Sequence, residues 1–568
     1  MHVAKIERRH GGRVYTYWLV RRSVREGRRV RHETVANVSK LPASAIEALR
    51  RALAGEALVA AGELFATERS LPHGQVRAVL RAARKLGFAR LLDRAPSRER
   101  SLALAMIVQR VLTPGSKLAC TRQLSQSTLA EELELGGVDA DDLYAALDWL
   151  GQRQERIEAR LARRHLGEGM LVLYDVSSSY FEGRTCPLLQ HGYSRDRRRG
   201  TLQIVYGLVC DPEGRPLAIE VFAGGVHDHE TLLAQVERLR HRFGLRTVVL
   251  VVDRGMVTEA NLEALRGEEG IAWISALKAP AVKKLVKEGS LQLSLFDQLN
   301  LAEIDSPDYP DERLVVCRNP LVAKERRRKR ADLLEATEAL LAPIKARVDA
   351  GTLRGAAEIG LAVGAVVNKR KVKKHFQLEI GDDRFEYRRK EEQIAEEAAL
   401  DGFYVLRTSV PAEQLSAPEV VRSYKALAQA ERAFRTLKGP DLELRPIHHR
   451  LEQRVRAHAF LCLLAYYLEW HLRKVWAELL FDDERSPLPE DPVAKQERSP
   501  EAKRKASTKR TAAGETCHSF RTLLGELALV VRNTNRVRGS QATFDTVTEP
   551  DPTQARAFEL IERLPTLA

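Results

Sequence analysis

At 568 residues the chain is long enough for three or more structural units and can bury a substantial core. Its 92 Lys and Arg outnumber 77 Asp and Glu, and the resulting net charge of +15 suits a polyanionic partner, although a merely soluble basic protein has the same balance. The longest apolar run, 460–468, falls well short of the ~18 residues of a membrane span, the N-terminus has no apolar h-region, and the six cysteines form neither a C-x-x-C pair nor a zinc spacing, which disfavours a membrane protein, a disulfide scaffold and a zinc module and leaves a cytoplasmic protein with reduced thiols as the expectation.

Residues 1–42 form a basic, β-rich segment. Positions 1–40 hold eleven Lys or Arg against three Glu. The alternation from Arg13 to Val20, a turn near Glu26-Gly27 and a second run from Val30 to Val38 predict a hairpin or small sheet. Such a ribbon either follows DNA phosphates or is a solvated charged hairpin. Residues 43–165 carry helical periodicity, as in Val76, Val79, Leu80, Ala83 and Leu86, and then in Leu102 to Leu112 before the Thr113-Pro114-Gly115 stop. They predict a helical DNA-binding domain, with no helix-turn-helix signal that names a recognition helix.

From residue 166 the period changes to that of strands. The run 170–174 leads into Asp175, the segments 203–210 and 216–222 flank a turn at Asp211-Pro212-Glu213-Gly214, and 247–252 is a second buried strand that ends at Asp253. A helix at 259–266 and a strand at 271–277 follow. The pattern predicts an α/β unit, a mixed sheet flanked by helices, over 166–290 and again over 401–485, with an insertion domain at 291–400 that opens on the basic run Lys324 to Arg330. Residues 486–515 read as a disordered linker and 516–568 as a helical tail.

Asp175 and Asp253 each end a buried-strand run, where side chains of sheet enzymes leave the core for a crevice. An aspartate there also caps helices and forms turns. The segment 424–438, YKALAQAERAFRTLK, adds a third carboxylate. Seven residues fall about 20° short of two whole turns, so Tyr424, Glu431 and Lys438 line one helix face at ~10 Å intervals, beside an apolar stripe of Leu427, Ala430, Phe434 and Leu437. A solvated face with Glu431 paired to Arg435 is the plain alternative. Three carboxylates supply the hard anionic oxygens by which two divalent ions are held beside a phosphodiester, and Lys438, Tyr424 and Arg435 are then candidates to grip DNA phosphates. The histidines at 448, 449, 458 and 471 lack a metal spacing. The loop Arg195 to Arg199 is a further candidate DNA contact or a solvated loop.

These pieces resemble a known family. YDVSSSYFEG around Asp175, HGYSRDRRRGTLQIVYGLVCDPEGRPLAIEVFAGGVHDHETL after it, VVDRGMVTEANL around Asp253, DGFYVLRTS at 401–409, and the 424–438 helix followed by LRPIHHRLEQRVRAHAFLCLLAYYL are similar, in that order over roughly 170–470, to DDE transposases of bacterial insertion sequences, in the branch with a Tyr-Arg-Glu-Lys signature. The resemblance implies a ribonuclease-H-like core, catalytic metal binding by Asp175, Asp253 and Glu431, DNA-end contacts by Tyr424 and Lys438, and two Mg2+ ions for which Mn2+ substitutes. It implies double-stranded DNA as partner, both element ends and target, a homodimer on the paired ends, no membrane, and a nucleoid-associated protein. Leu427 stands where the signature has arginine and cannot donate to a phosphate, so that role is either missing or taken by Arg432 or Arg435. The expected activity is cleavage at the terminal inverted repeats and joining of the 3′-hydroxyls to target DNA. A metal-dependent nuclease without strand transfer and an inactive DNA-binding regulator derived from a transposase are the alternatives.

Overall fold

The alternating N-terminal residues form strands. In the computed structural model, which describes residues 1–56, 64–196, 198 and 200–567, β1 (His2–His10), β2 (Arg13–Glu26) and β3 (Arg29–Asn37) make an antiparallel sheet in that order. The β1–β2 turn is Gly11-Gly12, both at positive φ, which a side chain would strain. After α1 (Ala43–Leu53) comes β4 (Phe65–Pro72), inside the stretch expected to be wholly helical.

The helical layer follows: α2 (Gly74–Lys85), α3 (Phe88–Leu92), α4 (Arg98–Leu112), α5 (Lys117–Leu124), α6 (Leu129–Glu132), α7 (Ala140–Gly151) and α8 (Gln154–His165). Ser97 caps α4 by accepting from the Arg100 amide at 3.2 Å, and Val79, Leu80, Leu86 and the apolar residues of α4 other than the half-buried Leu104 are buried as their period predicts.

The central sheet is built from β5 (Leu171–Tyr180), β6 (Gln203–Cys210), β7 (Pro216–Ala223), then α9 (Asp228–Glu237), β8 (Val248–Val252), α10 (Glu259–Arg266), β9 (Ile271–Ala276), α11 (Ala279–Lys287), β10 (Leu301–Ile304) and β11 (Arg313–Arg318). A projecting group of α12 (Pro320–Asp349), α13 (Ala356–Arg370), the hairpin β12 (Phe376–Ile380) and β13 (Phe385–Arg389), and α14 (Glu391–Ala399) precedes β14 (Phe403–Thr408). The strand order is β10-β11-β14-β9-β8-β5-β6-β7, with β5, β8 and β9 parallel and every other neighbouring pair antiparallel. Its β7-β6-β5-β8-β9 half is the ribonuclease-H-like arrangement. The expected insertion 291–400 is therefore smaller than its span, because β10 and β11 widen the main sheet and only α12 to α14 stand apart, around small cores of their own.

α15 (Ala417–Lys438) crosses the sheet and α16 (Glu452–Val475) lies against β7, α4 and α7. The apolar run 460–468 is buried in α16, and among the described residues no helix is long and apolar enough to cross a membrane. Residues 486–515 differ from the linker expected there. They carry α17 (Pro500–Thr508), because Lys505 buries its stem and donates to Ala477 O at 2.8 Å and to Glu484 at 2.9 Å, anchorage that composition does not show. The tail holds α18 (Phe520–Ala528) and α19 (Pro552–Ile561) but also β15 (Val531–Val537) and β16 (Thr543–Val547).

The chain divides into two units, one of residues 1–71 with 531–549 and the other of 72–530 with 550–568. In the first, β16, β15 and β4 form a sheet held by Phe65 edge-on to Phe544 at 5.0 Å and by Arg536 paired with Glu68 at 2.6 Å. The second holds the central sheet and every candidate site residue named above.

Candidate active site

β5 is ten residues long, so Asp175 lies within a strand rather than at its end. It lies, however, where β5 loses a neighbour. The last parallel pair between β5 and β8 is Tyr174 with Val252, after which β5 continues along β6 alone. Asp175 and Asp253 are the next residues of the two chains, on neighbours spaced ~5 Å apart. Val248 to Val252 are fully buried and Tyr174 is too, and strand alternation turns Asp175 and Ser177 to the opposite face from Tyr174 and Val176.

α15 covers that face. Val420, Leu427, Ala430, Phe434 and Leu437 are buried against the sheet, as the apolar stripe predicts, while Glu431, Arg432 and Arg435 are exposed. A capping box of Ser416 and Glu419 starts the helix ahead of Tyr424, and Gly439-Pro440 ends it after Lys438. Leu427 is 6% exposed, a core residue in this chain. Neither Arg432 nor Arg435 makes an ion pair among the described residues.

The three carboxylates sense one another. Burial, and after it the charges of Glu431 and Asp253, push the Asp175 carboxyl up to about 7, against the Val176 amide that donates to it at 2.8 Å and the more distant Arg195. The Tyr424 hydroxyl donates to Asp253 at 3.5 Å, and burial and the Asp253 charge raise its pKa. Among the described residues no three His, Cys, Asp or Glu side chains are gathered tightly enough to clasp an ion. A set of hard, electrostatically coupled oxygens, with no cationic side chain among the described residues hydrogen-bonded to any of the three, nonetheless fits a divalent ion, and the exposed Glu431 has the free rotamers to complete such a site.

Lys438 does not point to solvent. Its ammonium donates to Ser177 Oγ at 2.9 Å, to Ser178 O at 3.0 Å and to Asp196 at 3.2 Å, and burial lowers its pKa. Arg195 pairs with Asp228 at the start of α9, and a cleft of about 380 Å3 beside Asp253 is lined by Tyr193, Arg195, His227, Asp228, His229 and Gly255. Of the predicted loop 195–199, Arg198 stacks on Tyr180 at 3.8 Å, while Arg197 and Arg199 lie outside the described residues. Asp196 and Asp228 carry no individual signal in the sequence, since each sits in a basic or polar stretch and acquires meaning only from what it faces. Three of the four histidines are packing residues: burial holds His449 down at about 3 and His471 likewise, and His458 Nε2 meets Leu444 O at 3.2 Å, while His448 is exposed.

Family models match two stretches of the chain. A model of the transposase DDE domain matches residues 174–468, just over half of the chain, and a model of the IS1634 family transposase N-terminal domain matches residues 3–67. No curated protein matches. Among solved structures, the chain is similar at 8% identity to a piggyBac transposase in a synaptic complex with hairpin DNA, with 87% of this chain and 82% of that chain covered and a TM-score of 0.35.

Proposed function

The chain belongs to the DDE transposases of bacterial insertion sequences, enzymes that cleave DNA and transfer strands, and from that premise we propose that Asp175, Asp253 and Glu431 are its catalytic, metal-binding carboxylates. The observation that carries the assignment is that Asp175 and Asp253 directly follow the last paired residues of two neighbouring parallel strands, and that the charges of Glu431 and Asp253 both act on Asp175, although 78 and 256 residues separate it from Asp253 and Glu431 in the chain. These carboxylates would hold two Mg2+ ions, or Mn2+ in their place, and such ions would supply an activated oxygen nucleophile and stabilise the leaving oxygen.

The protein's own groups do the rest. Tyr424 orients Asp253 through its hydroxyl. Arg432 and Arg435, exposed on the same helix, take the DNA phosphates that the signature arginine contacts elsewhere, because Leu427 is committed to the core. The basic β1–β3 sheet binds the terminal inverted repeats along their backbone. Handling two ends requires two copies, so the active species is a homodimer on paired DNA, and water followed by a DNA 3′-hydroxyl serves as nucleophile at the same carboxylates.

Cleavage of a labelled element end in Mg2+ tests the assignment. Asp175→Asn, Asp253→Asn and Glu431→Gln are expected to lose cutting and to keep DNA binding. Undiminished cutting by any one of them refutes its role, and joining of the cut end to a target plasmid separates transposition from simple nuclease action.

A further inference from the structure

Asp196 is a buried carboxylate, its side chain 4% exposed, and buried charges need partners. It has three. Oδ1 accepts from Lys438 Nζ at 3.2 Å and from Arg445 at 2.6 Å, and Oδ2 accepts from the Tyr180 amide at 3.1 Å. Arg445 in turn donates to Lys438 O at 3.2 Å. The same loop is fastened beside it, since the Arg195 amide donates to Ser178 Oγ at 3.1 Å.

An ammonium has three hydrogens, and those of Lys438 are shared among Ser177, Ser178 and Asp196. Lys438 is therefore a strut between helix and sheet. It lies seven residues beyond Glu431, ~10 Å along α15, and Ser177 lies two residues beyond Asp175, ~7 Å along β5. The path from Asp175 to Ser177 along β5, across to Lys438 and back along α15 to Glu431 is short, and Asp196 is the anion that holds its corner together with the end of β5.

We infer that Asp196 is a positioning residue for DNA cleavage, which ties the last turn of α15 to the end of β5 and so sets the spacing between Glu431 and Asp175. The inference rests on the assignment of those two as catalytic. Asp196 touches no reacting atom. A displacement of about 1 Å at reacting groups costs on the order of 100-fold in rate, so a loosened strut shows in chemistry before it shows in binding.

The test is single-turnover cleavage of a labelled element end by Asp196→Asn, with Mg2+ titrated, together with metal-free binding of the same end and thermal unfolding. The expected result is about 10- to 100-fold slower cleavage and a several-fold higher Mg2+ requirement, with metal-free affinity within about twofold of wild type. Wild-type cleavage at wild-type Mg2+ overturns the inference, and so does metal-free binding tighter by about tenfold, which would make Asp196 a mere occupant of a phosphate seat. Should Asp196→Asn fail to fold, Ser177→Ala, which removes one neutral bond to Lys438, is expected to show the same pattern at about 3- to 10-fold, and normal cleavage by it overturns the inference. Asp175→Asn run in parallel separates the two failures: if it cuts, the carboxylate assignment falls, whereas if it is inert and Asp196→Asn is normal, only the present inference falls.

Discussion

Replacing Asp175 by asparagine is expected to destroy cleavage and to stabilise the metal-free protein. The Asp175 carboxyl stands at about 7 against 3.8 for a free aspartate, chiefly through burial and then through Glu431 and Asp253. About three pH units at ~1.4 kcal/mol each gives an upper bound of ~4 kcal/mol, and relaxation of the half-buried site brings the expectation to about 2–4 kcal/mol. The sign follows from linkage. A carboxyl whose folded value is raised keeps its full contribution below about pH 4, loses it progressively as pH rises to about 7, and is level above that, whereas asparagine does not titrate. The two proteins should thus unfold alike near pH 4, and Asp175→Asn should lead by the full margin at about pH 8. Urea unfolding in EDTA, read by tryptophan fluorescence, reports mainly on the unit of the central sheet, since Trp149, Trp273, Trp470 and Trp476 lie there. Millimolar Mg2+ binds only the wild type and should close the gap. A difference that is absent, or that does not change with pH, would falsify the claim that burial and the neighbouring acids raise Asp175.

Leu427→Arg restores the family signature on paper, yet it places a charge at a 6% exposed position, so a loss of at least about 2 kcal/mol and no gain in cleavage are expected in unfolding and cutting assays. Gly207→Ala puts a methyl 2.3 Å from the hydroxyl of the fully buried Tyr174; about 1–3 kcal/mol should be lost in unfolding, with slower cleavage because Asp175 is the next residue. Exchanging the exposed Arg8, Arg9, Arg29 and Arg31 for glutamine should lower end affinity and flatten its log–log salt dependence by about 0.9 for each phosphate no longer neutralised; an unchanged slope would remove the first sheet from the DNA interface. Asp228→Asn frees Arg195, which already lowers Asp175, so Mn2+ binding followed by electron paramagnetic resonance should weaken several-fold; unaltered affinity would show that Arg195 is held by other groups.

Much of the site is legible in the sequence because it is written in periods. The continuous apolar runs before Asp253 and Asp175 mark strands buried on both faces that each lead into an acid, and the 3-4-3 stripe of α15 says which helix face is buried, beside which Glu431 is exposed. What the periods do not contain is partner choice. β5 runs five residues past Asp175, because β6 continues to pair with it after β8 has ended, and nothing local to Val176-Ser177-Ser178-Ser179 announces that. Likewise β15, with Arg532, Asn533, Thr534 and Asn535 in its middle, looks like a loop and becomes a strand only through β4 and β16, the first of them far away in the chain. Lys438 reads as a phosphate ligand from its place on the helix face. The face is as predicted, but the residue opposite it, Asp196, lies 242 positions away.

The distribution of charge around the triad has its own logic. Among the described basic groups around the three acids, two further aspartates take three: Asp228 holds Arg195, and Asp196 holds both Lys438 and Arg445. Arg254, directly after Asp253, and Arg432 and Arg435, beside Glu431 on α15, are exposed. Were those guanidinium and ammonium groups paired with Asp175 or Glu431 instead, the carboxylates would be neutralised at short range and a divalent ion would have to break charge-assisted bonds worth roughly 1.5–3 kcal/mol each before it could bind. Because Asp196 and Asp228 engage those three cations, the charges of Glu431 and Asp253 add to burial, the larger cause, in raising Asp175, and a divalent ion would relieve that repulsion. On the proposed assignment the site gives up fold stability to keep an uncompensated anionic patch, while Arg195, Lys438 and Arg445 are ordered one layer further out by Asp228 and Asp196.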